Sequence, residues 1–402
     1  MDPEVVVAGA GPAGIATAVG LVRRDPSFAR RVICFDRAHF PRPKPCGGGL
    51  TGRARQALDA LGLAIRVPRV ASGSGRLVYG GLSRDVPLGQ AVDIVRREDL
   101  DADLVAQARA LGVRVMEGEG VADFTVDEAA AAVSVRTTRG QALRARVLVG
   151  ADGAGSRVRR AVRAGTAGEL LQPLRLFRLE IPAPPELGDR MIYDFTPMAD
   201  GLRGYVWLFP VPGGRANVGV MHYPSRHLPG ASIDRLLRRT LTRHRVTLPG
   251  PARGWPAWPY QPDARLSAPH LVCVGDAAGI DALTGEGIAV AFEQGIVAAA
   301  AIERGLAVGD LRFDGYGRAV RHATVGRELA LDRWLASLLY APGRGWAGWL
   351  GLAMLDDRMS SLYAARVCGQ AVLADCKADL VAALARHALS HRKRTRRIEA
   401  AA

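Results

Sequence analysis

A glycine-rich turn between a strand and a helix places the strongest limit on how this chain can fold. Residues 4–9 read EVVVAG, a short apolar run typical of a buried strand, and the following GIATAVGLVRR has a helical pattern. Between them, Gly9, Gly11 and Gly14 have the G-x-G-x-x-G spacing of a dinucleotide-binding turn. The first glycine permits the tight turn, the second lets backbone approach a pyrophosphate, and the third allows close helix–strand packing.

A second apolar run places a carboxylate where such a fold needs one. The segment RVICFD ends at Asp36, about 20 residues beyond the glycines, where an acidic side chain accepts hydrogen bonds from ribose hydroxyls. Arg37 follows and is a candidate contact to the adenosine. Strand, glycines, helix, second strand and terminal acid occur in this order, so the sequence predicts a dinucleotide site that suits both NAD and FAD.

Two later strand-to-turn segments resemble the FAD-binding set of the aromatic-hydroxylase-like flavoproteins. One reads VLVGADGAGSR and contains Asp152, and the other, LVCVGDAAGIDALTGEGI, contains Asp276 and Gly287. The resemblance implies that Asp276 binds the ribityl chain and that N–H groups near Gly287 face the flavin pyrimidine, where negative charge gathers on reduction. Both aspartates have an alternative interpretation as ordinary turn and N-cap residues.

Two more positions fit this scheme. In IVRREDLDADL, Arg97 begins a helical face, and in the resembling flavoproteins an arginine at this place lies against the cofactor. A helix-surface arginine is the alternative. Val121, on the strand that follows, would offer backbone atoms to the adenine.

The segment FPRPKPCGGGLTG at 40–52 narrows the resemblance. Its prolines and glycines predict an irregular, rigid loop that lets backbone press against a flat group. Together with GDAAG, LTGEGI and the aromatic string GYVWLFP, the string KPCGGGL resembles the geranylgeranyl reductase family, over about residues 1–325. That family comprises FAD enzymes that reduce isoprenoid double bonds, so the resemblance implies FAD as cofactor and the same chemistry here.

Cys46 is the predicted catalytic residue, because the resemblance places it near the flavin. Reduced flavin would deliver hydride to one carbon of the double bond, and an acid would protonate the other. A small apolar loop residue is the alternative, since the sequence reveals no partner that would activate the thiol. The predicted cofactor-binding residues are Gly9, Gly11, Ala13, Gly14, Asp36, Arg37, Cys46, Gly47, Gly48, Arg97, Val121, Asp152, Gly275, Asp276, Gly285, Gly287 and Ile288.

An aromatic strand is the predicted substrate-binding element. Tyr205, Trp207 and Phe209 alternate with apolar residues, as on a strand with an aromatic face. With the resemblance they form one wall of a tunnel for an apolar small molecule, and a core sheet face is the alternative. The five cysteines are scattered without a C-x-x-C pair, so no metal site is predicted.

The same loop distinguishes this chain from flavoproteins with other chemistries. Flavin halogenases carry a Glu-Ser segment and a catalytic lysine where this chain has Cys46–Gly49, and Lys44 lies on the wrong side of the loop. Flavin hydroxylases share the FAD set but usually lack this loop, so an FAD monooxygenase tailoring an apolar natural product is the alternative function. A flavin-bound electron-relay protein is a third hypothesis. No second fingerprint follows, so electrons are expected from transiently docked NAD(P)H or from an electron-donor protein.

The motifs predict an α/β fold: a Rossmann-like FAD-binding domain of the glutathione-reductase type, an inserted antiparallel β-sheet substrate domain and a helical C-terminal region. The FAD-binding domain is predicted in two parts, 1–165 and 264–328. Residues 166–263 form the predicted substrate sheet, which 71–90 joins, and 329–402 form the helical region with a basic tail.

The formal net charge of +15 distinguishes function classes only weakly. Most of it is scattered arginine, and no zinc-finger spacing or interleaved aromatic patch supports nucleic-acid binding, which is not predicted. Residues 386–402 contain HRKRTRR, and peripheral membrane contact through this tail is a hypothesis beside a solvated tail. Without a run of about 18 apolar residues or a secretory signal, a cytoplasmic location is expected, with membrane association as the added hypothesis.

Overall fold

The structure is a computed structural model that describes residues 2–165, 172–223, 228–340, 350–351, 354–376, 378–379 and 382–383. The basic tail at 386–402, with its predicted membrane contact, lies outside these residues. None of the described helices combines the length and apolar character that a membrane crossing requires.

The described strands, in chain order, are β1 (Val5–Ala8), β2 (Val32–Asp36), β3 (Gly49–Leu50), β4 (Arg69–Tyr79), β5 (Leu82–Val95), β6 (Arg114–Glu117), β7 (Val121–Asp127), β8 (Ala132–Thr137), β9 (Ala142–Ala145), β10 (Val147–Gly150), β11 (Leu174–Pro182), β12 (Met191–Asp194), β13 (Val206–Val211), β14 (Arg215–His222), β15 (Arg253–Ala257), β16 (Ser267–Ala268) and β17 (Leu271–Cys273). The described α-helices are α1 (Pro12–Arg24), α2 (Phe28–Arg31), α3 (Gly52–Leu61), α4 (Arg97–Ala110), α5 (Arg157–Arg163), α6 (Gly230–Arg243), α7 (Ile288–Val308), α8 (Tyr316–His322), α9 (Thr324–Leu339) and α10 (Asp357–Val367).

A six-stranded sheet carries the glycine-rich turn. Its strand order is β16-β17-β10-β1-β2-β6, and all neighbours run parallel except the edge pair β16–β17. Every residue of β1, β2 and β10 is buried, as expected for a parallel sheet that is covered on both faces. The predicted Rossmann-like α/β fold is confirmed, and the turn lies at the carboxyl edge of the sheet, where such folds bind ligands.

The second sheet has eight strands in the order β15-β11-β14-β13-β12-β4-β5-β3. Its neighbours are antiparallel except β12 and β4, which pair in parallel. Residues 71–90 lie in β4 and β5.

The expectation that 40–52 is irregular throughout is wrong at its end, because Gly49–Leu50 pairs with the free edge of β5 and α3 begins at Gly52. A third sheet of three strands has the order β7-β8-β9.

Small residues let α1 and α7 pack at close range. A Cβ added to Gly295 on α7 would lie 2.6 Å from the Cβ of Ala16, and one added to Gly20 on α1 would lie 2.9 Å from that of Ala299. Larger side chains at these positions would separate the two helices. The packing brings the start of α7 beside the turn at the start of α1, although the two are far apart in sequence.

Replacing Gly14 with alanine should destabilise the fold. The added Cβ would lie 1.9 Å from the carbonyl oxygen of Gly9, so α1 would have to move away from β1. We expect the free energy of unfolding to fall by about 3 kcal/mol or more, measured by denaturant titration. Gly317→Ala on α8 is the control, because no atom lies within 4 Å of its added Cβ and alanine favours a helix. Equal stabilities of the two variants would contradict this account.

Candidate active site

The cofactor cleft begins at the turn between β1 and α1. Gly9 has a φ of +105°, and an added Cβ there would lie 2.3 Å from the carbonyl oxygen of Ala151. Gly11 differs, because the nearest atom to its added Cβ is Arg42 Nη2 at 3.4 Å. The packing of the protein therefore does not require glycine at position 11, and the space in front of it suits a ligand that approaches the backbone closely.

Asp36 lies at the edge of this cleft and is held from two sides. Its Oδ2 accepts a hydrogen bond from the Ala10 N–H at 3.0 Å, and its Oδ1 accepts one from the Ala38 N–H at 3.0 Å. Arg42 Nη2 lies 3.6 Å from Oδ2. The predicted ribose-binding carboxylate is thus fixed beside the glycine turn. The side chain of Arg37, its predicted neighbour at the adenosine, is exposed.

The turns after β10 and β17 also reach the glycine turn. The side chain of Asp152 accepts a hydrogen bond from the Arg157 N–H at 2.9 Å, at the start of α5, although the N-cap residue of this helix is Ser156. Its backbone nitrogen lies 3.2 Å from the position of a Cβ on Gly9. Gly275, with a φ of +62°, approaches Ala13 so closely that an added Cβ would lie 2.7 Å from the Cβ of Ala13. Three segments that are distant in sequence therefore line one cleft.

Asp276 faces a group of cationic side chains. The Nζ atom of Lys44 lies 3.0 Å from Asp276 Oδ2 and 4.7 Å from the centre of the Trp255 ring. Burial favours protonation of Asp276, but Lys44, followed by Arg97 and Arg42, outweighs it and holds the pKa of this carboxyl below its usual value. The fold thus places the charge of Lys44, which lies on the wrong side of the loop for a halogenase-type lysine, in the cofactor cleft.

Cys46 lies beside a buried arginine. The Arg97 guanidinium donates to the Asp101 carboxylate through Nε at 2.8 Å and Nη2 at 2.9 Å. Burial would lower the pKa of Arg97, but Asp101 and then Cys46 raise it above its ordinary value. The backbone oxygen of Cys46 accepts a hydrogen bond from Asn217 Nδ2 at 2.5 Å. The fold thus supplies Cys46 with a cationic partner that the sequence did not reveal.

The aromatic strand packs directly on the cysteine–glycine loop. A Cβ added to Gly47 would lie 2.9 Å from Cε2 of Phe209. The indole N–H of Trp207 donates to Asn217 Oδ1 at 3.0 Å, so Asn217 connects the strand to the loop. Tyr205, Trp207 and Phe209 are only 5 to 8% exposed. Their assignment to the wall of a substrate tunnel remains a prediction.

Asp281 organises the loop that precedes α7. Its Oδ1 accepts a hydrogen bond from the Leu283 N–H at 2.6 Å, and its Oδ2 accepts bonds from the N–H groups of Thr284 at 3.0 Å and Glu286 at 3.3 Å. The hydroxyl of Tyr205 donates to the carbonyl oxygen of Thr284. A single buried carboxylate therefore sets the path of the backbone that leads into α7.

The end of this loop lies between the cofactor cleft and the aromatic strand. A Cβ added to Gly287 would lie 4.0 Å from Asp276 Oδ1, and one added to Gly285 would lie 4.0 Å from the Tyr205 hydroxyl oxygen. α7 then begins at Ile288 without a side-chain cap, as α1 begins after Gly11 without one. Two helix N-termini with free N–H groups thus border the cleft, and both favour negative charge.

These features fit FAD. The open space at Gly11 admits a pyrophosphate, Arg42 and Lys44 supply positive charge beside it, and Asp36 and Asp276 offer acceptors for hydroxyl groups at two separate points of the cleft. Among the described residues, no cluster of His, Cys, Asp and Glu has the arrangement of a metal site. Arg42, Lys44 and Asn217 were not among the predicted site residues. Asn217 alone could have been noticed in the sequence, as the one polar residue in the apolar run ANVGVM of β14.

Comparisons with known proteins agree with this cofactor. Residues 2–191 match the family model described as FAD binding domain. The chain is 31% identical over 316 residues to a menaquinone reductase of Mycolicibacterium smegmatis, covering 74% of this chain and 75% of that protein. It is 30% identical over 358 residues to a geranylgeranyl diphosphate reductase of Rhodobacter capsulatus, covering 82% and 83%. A solved structure of a geranylgeranyl bacteriochlorophyll reductase-like protein from Thermoplasma acidophilum shares the fold, with a TM-score of 0.69, 20% identity and 99% coverage of both chains.

Replacing Gly11 with alanine should weaken FAD binding without loss of the fold. The added methyl group has room in the protein but occupies the space through which a pyrophosphate approaches the backbone. We expect the Kd for FAD to rise about tenfold or more, measured by titrating the apoprotein and following flavin fluorescence. Thermal unfolding of the apoprotein should not change. Gly73→Ala in β4, where an added Cβ meets no atom within 4 Å, is the matched control, and an equal Kd in both variants would refute the assignment.

Proposed function

The chain belongs to the geranylgeranyl reductase family of FAD-dependent oxidoreductases, and we propose that it saturates C=C bonds of an isoprenoid or polyene lipid-like substrate. The relatives described above are named as reductases of menaquinone and of geranylgeranyl diphosphate. Both of these molecules carry prenyl chains, which supports a prenylated molecule as the substrate class.

The proposed apolar substrate rests on the apolar strand β13, which packs against the cysteine–glycine loop. All six residues of β13 are uncharged and buried, and Phe209 contacts Gly47 next to Cys46. The charged groups of the site, such as Lys44 and Asp276, pair with each other in the cofactor cleft. An apolar chain bound against this aromatic face would leave no charge unpaired, and its burial would be favourable.

The surroundings of Cys46 are consistent with a role as the proton donor. Bound FAD in its reduced form would supply hydride to one carbon of a double bond, and the other carbon would then need a proton. Cys46 is our candidate to give that proton from its S–H bond. The Arg97 guanidinium lies beside its sulfur, and the Gly48 N–H points at Sγ at 3.5 Å.

The electron source and the membrane contact are further parts of this proposal. The glycine-rich fingerprint is used by FAD, so electrons reach the flavin from NAD(P)H that docks transiently or from an electron-donor protein. A prenyl substrate would be collected at a membrane surface, for which the basic tail at 386–402 is the candidate contact. Trp334 lies on α9, which α10 separates from the tail in sequence. Its side chain is 45% exposed, as suits an interfacial aromatic residue.

An anaerobic single-turnover experiment tests the proposed reaction. Photoreduced holoenzyme is mixed without oxygen with a panel of prenylated quinones and prenyl diphosphates. We expect at least one of them to accelerate flavin reoxidation and to gain two hydrogen atoms, detected by mass spectrometry. A product that gains an oxygen atom, formed only in air, would establish the monooxygenase alternative. Reoxidation that no substrate accelerates would favour an electron-relay protein.

Replacing Cys46 with alanine should slow the reduction while FAD stays bound. Loss of a positioned acid costs about 100-fold or more in rate, and the FAD contacts described above do not depend on the thiol. The rate is measured in the same single-turnover experiment, and FAD content is measured by absorbance. Cys376→Ala, at a half-buried cysteine after α10, is the matched control. If both variants react at the wild-type rate, Cys46 has no part in the mechanism.

A further inference from the structure

A buried ionic cluster connects the loop before α7 with the C-terminal helices. It consists of six charged side chains from separate parts of the chain: Arg53, Glu286, Glu293, Glu328, Asp332 and Arg366. Neither arginine is more than 6% exposed. The cluster has more carboxylates than guanidinium groups, and buried charge without a partner is costly. The two guanidinium groups must therefore be shared among the four carboxylates of the cluster.

At the C-terminal helices, one guanidinium group of the cluster binds two carboxylates. Arg366 on α10 donates from Nε to Glu328 and from Nη2 to Asp332, both on α9. Glu328 also accepts a hydrogen bond from the Ala374 N–H at 2.7 Å. Burial raises the pKa of Asp332 well above its usual range; Arg366 and Arg53 oppose this, and Asp281 and Glu328 add to it.

The other end of the cluster shares one arginine between two carboxylates. Arg53 binds Glu293 through Nε at 3.0 Å and Nη2 at 2.6 Å, and its Nη1 lies 3.4 Å from Glu286 Oε2. Thr51 Oγ1 donates to Glu286 Oε1 at 2.5 Å. Glu286 is thus held by a hydroxyl group and by part of a guanidinium charge that it shares with Glu293.

Glu286 lies between the cofactor cleft and the aromatic strand, because residues 285–287 lie between Asp276 and Tyr205. A dinucleotide bound along Asp36, Gly11 and Asp276 would bring its redox-active end toward this loop. FAD gains negative charge when it is reduced. A carboxylate at this place opposes that gain, and an arginine that neutralises the carboxylate favours it.

We propose that Glu286 and Arg53 set the reduction potential of bound FAD, Glu286 by opposing the charge of the reduced cofactor and Arg53 by offsetting Glu286. Arg53 is a positioning residue, because it acts through Glu286. The proposal concerns the cofactor, so it does not depend on which substrate the enzyme reduces.

The reduction potential of the holoenzyme tests this proposal, measured by slow anaerobic reduction beside a reference dye. Glu286→Gln keeps the shape and the acceptor for Thr51 but removes the charge. We expect it to shift the equilibrium toward reduced FAD about tenfold, which is about 30 mV for a two-electron couple. Arg53→Gln should shift the equilibrium toward oxidised FAD, whereas Arg53→Lys, which keeps the positive charge, should have the wild-type potential. The potential of the double variant Arg53→Gln/Glu286→Gln should lie near that of the wild type.

Asp332→Asn is the matched control within the same cluster. Asp332 binds Arg366 rather than Arg53 or Glu286, so the variant should keep the wild-type potential. Burial raises the pKa of the Asp332 carboxyl, so its contribution to stability declines as pH rises above the unfolded value. If Glu286→Gln leaves the potential within twofold of the wild-type equilibrium, or if Asp332→Asn shifts it equally, the proposal is overturned. Because Glu286→Gln is isosteric, the test stands even if Arg53→Gln fails to fold.

Discussion

The close approach of α1 to the end of β1 and of α7 to α1 is the constraint on which the site depends. A Cβ on Gly14 would collide with the carbonyl of Gly9, and one on Gly295 would collide with the side chain of Ala16. Because both positions are glycine and carry no side chain, both helices begin at the same edge of the parallel sheet. Their N-termini then point into one cleft, and this is the reason that segments near positions 10 and 280 can hold a single cofactor.

Charge inside the cleft is arranged in matched pairs. The loop at 40–52 brings Arg42 to Asp36 and Lys44 to Asp276, while Arg97 binds Asp101 beside Cys46. Isolated charges at such burial would be expensive, whereas hydrogen-bonded pairs are tolerated and confine each side chain to one position. The same loop continues into α3, where Arg53 joins the buried ionic cluster. The loop therefore carries two cationic residues of the cleft, the candidate acid and a connection to the C-terminal helices.

The C-terminal helices illustrate the limit of reasoning from sequence. Glu328 and Asp332 are four residues apart, a spacing common on solvated helix faces, and nothing in the sequence distinguishes them from a surface pair. In the fold they are buried and bind Arg366 from another helix. The same holds for Arg53, which reads as one arginine among many in a chain with a net charge of +15. Partners of this kind depend on contacts between distant segments, which local patterns do not encode.

Taken alone, the sequence determined the parallel-sheet framework, the dinucleotide turn with Asp36, the use of FAD and the family. Each of these is encoded by a local spacing or by a contiguous string of residues. Only the tertiary structure decided which side chains meet: Arg97 with Cys46, Lys44 with Asp276, and Asn217 between the aromatic strand and the cysteine–glycine loop. The physical reason is that backbone propensity and hydrophobic period act over a few residues, whereas the pairing of buried polar groups is settled by how whole elements pack.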